Sequence, residues 1–468
     1  MKIALVRCPC VQPFPPDIGL GYLISSLRET GIDVSLFDLN IEFFHNAIFE
    51  KKEKWLTSYV PVLDELAKEI LLESPQIVNE LANKIVKTKA NIIGFSIWDS
   101  NIFFSLKLAE AIKRADKNIP IIFGGPECYP LFSGDFFIQK DFVDIVVFGE
   151  GELTLRQIIE SIKKSGKVKA VFGCIIKEGD KIINCGPAEL IGNLDTLPFP
   201  DYRDFPLDWF PNKARLFISF NRGCIRKCAY CSVSDTVPLF RFRSAHSIYE
   251  EIRCQMQRHP SVYEFLIASP ALNSNLKQLS EFCDLIIKNG IKIDWGGNAI
   301  IHPDMDIDLL RKMRDSGCTN LVFGIESGSQ KVLDRMGKSF RIKDAECLLY
   351  DVYRAGINSI TANFIIGFPG EDNNDFYDTL EFIYRNKNYI NSIGSYSTCW
   401  IEPYTPIYYN LKKYGVILNQ LPYVKNYSDW YSEDKRNNSE IRQKRMDIFK
   451  DFISSVGLNT VKNTPIRI

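Results

Sequence analysis

The chain has 468 residues, 57 Lys plus Arg against 57 Asp plus Glu, 46% hydrophobic residues, 13 cysteines and 4 histidines. At roughly 150 residues per domain, this length fits about three domains or one large catalytic domain with additions. A formal net charge of zero removes the broad positive field of a protein held mainly to phosphate backbones, so nucleic acid is not an expected partner. The opening run MKIALVRCPCVQPFPP is too short in apolar residues for a secretory signal or a spanning helix, which predicts a cytoplasmic protein with no transmembrane segment. In that reducing setting the cysteines read as small buried hydrophobes with a metal-binding or redox minority.

In chain order, KIALVRC (2–8) is a β-branched run, and GLGYLISSLRETG (19–31) has helical spacing with Gly31 as its stop. DVSLFDL (33–39) follows, then a charged helical excursion over about 46–88. The pattern resumes with ANIIGFSI (90–97), a helix around 101–115, IPIIFGG (119–125), DIVVFGEGE (144–152) and a final helix. Apolar strands separated by helices predict an α/β, Rossmann-like (flavodoxin-like) doubly wound sheet of about five parallel strands over 1–167. The loops beyond its strand ends carry Asp17, Ile18 and Gly19; Ser96, Trp98, Ser100 and Asn101; Gly124, Gly125, Pro126 and Glu127; and Gly149, Glu150, Gly151 and Glu152. Small residues there let backbone amides approach a large polar ligand.

Between 168 and 212 a hairpin pattern, AVFGCIIKEGDKIINC, precedes the proline-rich LDTLPFPDYRDFPL, which reads as a linker. From 213 to 407, strands recur as RLFISF (215–220), YEFLIAS (263–269), IKIDWGG (291–297), TNLVFGIES (319–327), SITANFIIG (359–367) and SIGSYSTCW (392–400). Six βα units fit a partial TIM-type parallel barrel, two short of the eightfold one. The tail, 408–468, is Tyr-rich and then helical.

Cys224, Cys228 and Cys231 lie within eight residues, just after the first strand of this second region. Three thiolates so spaced suit three corners of an iron–sulfur cluster. A structural zinc site asks for a second pair, which the sequence does not present. Of the other cysteines, Cys8, Cys10, Cys128, Cys174, Cys185, Cys254, Cys283, Cys318, Cys347 and Cys399 read as packed apolar positions. The basic stretch RFRSAH (241–246) reads as a solvated face, and Tyr396, Trp400, Tyr404, Tyr408 and Tyr409 as an aromatic pocket lining or as packing.

CxxxCxxC with an aromatic before its last cysteine, after the first strand of a six-unit barrel, resembles the radical S-adenosylmethionine (SAM) enzymes. The resemblance implies a [4Fe–4S] cluster whose open iron binds SAM. It carries SAM contacts onto Tyr230, onto Glu326 and Ser327 of GIESG, onto Asn363 and Ile365 of NFIIGFPGE, and onto Asn298 of WGGN. Ser269, in ASPALNS, stands where relatives often have acidic residues. The N-terminal region, the LDTLPFPDY connector and the GGPE and FGEGE loops resemble the cobalamin-binding subclass, over about residues 1–405. This implies cobalamin on Asp17, Ile18, Gly19, Ser96, Trp98, Gly124, Gly125, Pro126, Glu127, Gly149, Glu150 and Gly151. No DxHxxG motif occurs, and His45, His246, His259 and His302 fall outside the expected loop, so no lower cobalt ligand is assigned.

The implied reaction is reductive cleavage of SAM to a 5′-deoxyadenosyl radical and methylation of an unactivated carbon in a small-molecule, lipid or peptide substrate. A flavodoxin- or ferredoxin-type protein would supply the electrons. The alternatives are radical oxidation, cyclisation or carbon–carbon coupling with cobalamin accessory or absent, and a non-enzymatic cobalamin or redox sensor. No side chain is assigned a catalytic role beyond the cofactor contacts.

Overall fold

The computed structural model describes residues 1–57, 59–166, 169–419 and 427–460. The expected 167/168 boundary, and the parts 420–426 and 461–468 of the expected helical tail, lie outside the described residues. The chain divides into two compact units, Met1–Lys213 and Ala214–Ile468. No helix among the described residues is long and apolar enough to cross a membrane.

The first unit is built on strands β1 (Lys2–Arg7), β2 (Asp33–Asp38), β3 (Ile92–Ser96), β4 (Ile121–Gly124), β5 (Ile145–Val147), β6 (Cys174–Glu178) and β7 (Lys181–Asn184), in the order β2-β1-β3-β4-β5-β6-β7. The first five run parallel, as their patterns predict. Ile3, Ala4, Leu5 and Val6 of β1 are at most 2% exposed, because helices cover both faces of a parallel sheet. The chain leaves β1 to one side for β2 and returns to the other for β3, so the switch point falls between β1 and β3. The charged excursion forms three helices, Phe49–Trp55, Val60–Glu73 and Ile77–Val86. Trp55 pins them, with its indole N–H shared between Val11 O (3.1 Å) and Asn40 Oδ1 (3.0 Å).

The expected linker is not a free connector. Its hairpin, β6–β7, adds antiparallel to β5 and widens the sheet. Its proline-rich part wraps the helix Ile18–Glu29, where Asp201 N donates to Gly21 O (3.0 Å) and Arg28 pairs with Asp201 (2.6 Å) and Asp204 (2.5 Å). Prolines bar ladder hydrogen bonds without preventing packing, which is why the segment read as a linker.

The second unit holds β8 (Arg215–Ile218), β9 (Glu264–Ile267), β10 (Asp294–Ala299), β11 (Cys318–Glu326), β12 (Ser359–Ile366) and β13 (Ser392–Thr398), parallel and in sequence order as expected. A short strand absent from the sequence reading, β14 (Asn459–Thr460), adds parallel beside β13. Register shifts interrupt the ladders at Trp295/Gly296, Gly324/Glu326 and Ala362/Phe364; such shifts re-aim side chains near strand ends. The tail helix, Ser439–Ser455, sets Phe449 against Phe364 (5.8 Å) and Tyr396 (5.6 Å). The stretch RFRSAH is not a solvated face. Arg241 and Arg243 are 5% and 3% exposed, and Arg243 pairs with the equally buried Glu251 while donating to Ser219 O (3.1 Å). A buried cation persists only with such partners.

Candidate active site

Beyond β8 the chain turns back into the cysteine loop. Gly223 opens it at φ +75°, where a Cβ would lie 2.6 Å from Leu239 O, so only glycine fits. The loop is held from both sides: Ala229 N donates to Met336 O (2.8 Å), and Ile407 N donates to Ala229 O (2.9 Å). Cys224 and Cys231 are partly exposed and Cys228 is buried. Burial pushes the Cys231 thiol up to about 12 and also raises Cys224, with the neighbouring thiols adding to it and Lys338 opposing. Ligation therefore has to expel protons. Among the described residues no group converges as a single-ion site would. Three thiols on one loop fit three corners of an iron–sulfur cluster.

Above this loop lies a charged cluster. Glu326, at φ +70° after the register shift, accepts hydrogen bonds through one oxygen, Oε1, from Tyr230 OH (2.8 Å) and Lys338 Nζ (3.2 Å). Its Oε2 has no partner among the described residues and is free to accept from a vicinal diol. Lys338 also donates to Gly324 O (2.9 Å) and stands 5.5 Å over the Tyr230 ring. Burial disfavours its ammonium, yet Glu326 and the Cys228 and Cys231 thiols more than offset this and raise Lys338. Burial raises the Tyr230 phenol, and Glu326 raises it further, so it stays a donor. Lys338 is the member of this cluster that sequence reading missed: twelve positions beyond Glu326, it is an ordinary helix-end lysine until the fold delivers it.

Asn298, Asn363 and Ile365 are half-buried positions among buried neighbours on β10 and β12, sharing one face by the strand's period of two. Asn363 pairs in register with Gly324. Its Oδ1 accepts from Ser395 N (2.7 Å), while its Nδ2 has no partner among the described residues. Two expected contacts are structural instead. The Ser269 hydroxyl accepts from Phe220 N (2.9 Å) and Asn221 N (3.0 Å) and donates to Asn221 O (3.2 Å), which exhausts it. Ser327 accepts from Ser329 N (3.1 Å) and bonds Thr379 Oγ1 (3.2 Å) with no exposure. Both hydroxyls position the site's backbone.

The GFPGE loop after β12 is clamped by the tail. Glu371 Oε1 accepts from Gly367 N (2.9 Å) and from Arg445 (3.0 Å), and Asn437 donates to Gly367 O (3.0 Å). Arg335 holds Pro369 O (3.0 Å).

In the first unit the expected loops gather at the carboxyl ends of β1, β3, β4 and β5. Gly19, Gly125, Pro126 and Gly149 are exposed there, Ile18, Ser96, Gly124 and Gly151 are half-buried, and the Trp98 indole N–H is buried with no partner among the described residues. That set fits a large polar ligand bound through backbone groups. Local structure also engages the carboxylates. Asp17 caps the helix Ile18–Glu29 through Leu20 N (3.0 Å), Glu127 accepts from Ser133 (3.3 Å), and Glu150 accepts from Ile191 N (3.0 Å). His45, the unit's one histidine, stacks on Trp209 at 4.7 Å. Cys8, Cys10 and Cys399 are fully packed, as expected, whereas Cys347 is exposed on its helix.

Residues 218–383 match the model of the Radical SAM superfamily, and residues 63–159 match that of the B12 binding domain. The chain is 25% identical to an uncharacterised methyltransferase of Pyrococcus horikoshii, over 82% of this chain and 77% of the relative. It is 23% identical to the anaerobic magnesium-protoporphyrin IX monomethyl ester cyclase of a Synechocystis strain, over 81% and 70%. Its fold matches the structure of the cobalamin-dependent SAM radical enzyme OxsB, with a TM-score of 0.75 at 17% identity, over 97% of this chain and 66% of that one. With both domains present in this order, the chain belongs to the radical SAM enzymes that carry a cobalamin-binding domain.

Proposed function

We propose that this enzyme transfers a methyl group from cobalamin to an unactivated carbon. The observation that carries the reading is the meeting of the Cys224–Cys231 loop with the Tyr230–Glu326–Lys338 cluster in the unit that follows a B12-binding sheet. When bound, the cluster and SAM supply the radical and cobalamin supplies the methyl group. The protein's own part is positional. Cys224, Cys228 and Cys231 hold the cluster; Lys338 pairs with the SAM carboxylate; Glu326 Oε2 accepts from the ribose hydroxyls; and Asn363 and Ile365 border the adenine. The exposed backbone of Gly19, Gly125 and Gly149, with Trp98, holds cobalamin.

The substrate is a small molecule, a lipid or a peptide. The enzyme works in the reducing cytoplasm, taking electrons from a flavodoxin- or ferredoxin-type donor. The test is anaerobic reconstitution with iron, sulfide, cobalamin and SAM under reduction. Methyl transfer yields S-adenosylhomocysteine together with 5′-deoxyadenosine; deoxyadenosine alone, with cobalamin retained, sinks the methyltransferase reading. The likeness to a cyclase favours oxidation or ring closure as the second reading, and that product pattern would support it. A sensor would leave SAM uncleaved.

A further inference from the structure

Cys174 opens β6 and Cys185 follows β7, and they continue the antiparallel register of Ile175 with Asn184. Cys185 N donates to Cys174 O (2.9 Å), while the Cys174 thiol donates to Val171 O (3.0 Å) and the Cys185 thiol to Ile183 O (3.9 Å). Residues opposed in such a ladder have Cα atoms about 4.5–5.5 Å apart, inside the span of about 4.4–6.8 Å that a disulfide bridges. Cys174 has no exposure, whereas Cys185 is partly exposed, so one thiol meets solvent and the other waits behind it.

The pair stands at the base of a loop already described. Val147, the last residue of β5, pairs with Cys174, and Phe148 N donates to Gly173 O (2.9 Å). The segment beyond Cys185 packs Ala188 against Gly149 and Gly173 and reaches Ile191, which holds Glu150.

We propose that Cys174 and Cys185 form a reversible dithiol–disulfide site, oxidised by low-molecular-weight disulfides, that pins the 185–191 segment against the Gly149–Gly151 loop. The Cys185 thiolate attacks one sulfur of the small disulfide, giving a mixed disulfide and one released thiolate. Cys174 then loses its proton and displaces the second thiolate, so two cysteine thiols are oxidised as one small disulfide is reduced to two thiols. Burial pushes Cys174 up to about 12, which makes the second step faster at alkaline pH.

The experiment exposes the anaerobic full-length protein to oxidised glutathione, quenches it with N-ethylmaleimide in denaturant, and maps tryptic peptides by mass spectrometry. Peptide 170–177 should be found joined to peptide 182–203 in more than half of the molecules, with a faster yield at pH 8.5 than at pH 7. C174S should instead hold glutathione on Cys185, and C185S should leave Cys174 labelled by maleimide. In the unmutated protein, glutathione on Cys185 beside a maleimide-labelled Cys174, maleimide on both, or either one bridged to another cysteine overturns the assignment.

Discussion

Replacing Arg445 by methionine tests the clamp on the GFPGE loop. The Glu371 side chain is 1% exposed and its charge partner is Arg445 at 3.0 Å. Burial pushes Glu371 up from 4.5 to about 7 even with Arg445 and Gly367 N pulling it down. The gap between those values makes the ionised form cost ~3 kcal/mol above neutral pH. A folded-state value above the unfolded one contributes stability that is fully present below about pH 4.5 and lost as pH rises through 7. Without the guanidinium the loss extends to still higher pH, and breaking a buried pair costs roughly 3–5 kcal/mol while the remaining charge persists. Arg445→Met should therefore lose ~1 kcal/mol at pH 6, where a protonated Glu371 leaves just the lost hydrogen bonds, and about 1.4 kcal/mol more at pH 8, one pH unit above the Glu371 value of about 7. Adding Glu371→Gln should restore most of the loss at pH 8. Urea unfolding at both pH values, followed by tryptophan fluorescence, measures this. An equal loss at pH 6 and pH 8, or no recovery in the double variant, would show that Arg445 acts by packing alone.

Cys228→Ala should abolish the cluster, read as loss of its visible absorbance and bound iron, while far-UV circular dichroism is kept; full iron retention would count against the triad. Lys338→Met should keep the cluster but weaken SAM binding about tenfold or more, since hydrogen bonds to charged groups contribute roughly 1.5–3 kcal/mol; equilibrium dialysis with an unchanged affinity would remove Lys338 from the site. Tyr230→Phe deletes one hydrogen bond to Glu326 and should cost about 1 kcal/mol in stability, measured by thermal melting. Gly125→Ala, at φ +117° with its Cβ 2.6 Å from Ile97 O, should lower cobalamin retention after gel filtration, with Gly192→Ala, which meets nothing within 4 Å, as the neutral control.

Local signals were legible in the amino-acid order. The spacing of Cys224, Cys228 and Cys231, the β-branched runs that became β1 to β5 and β8 to β13, and the glycines at strand ends each report on a few consecutive residues, where sterics and periodicity act directly. Tertiary structure alone decided which polar groups remain available. Ser269, Ser327, Asp17 and Glu127 look like ligands in isolation, yet each also bonds a backbone amide or hydroxyl that the fold brings near. Lys338, Arg442 and Arg445 look like surface cations, yet Lys338 ends up half-buried and the two arginines buried, against partners as far as 74 positions away, as with Arg445 and Glu371. The hairpin that read as a linker became a sheet edge for the same reason. A hydrogen-bonding group's fate depends on its neighbours in space, which no local window of residues encodes.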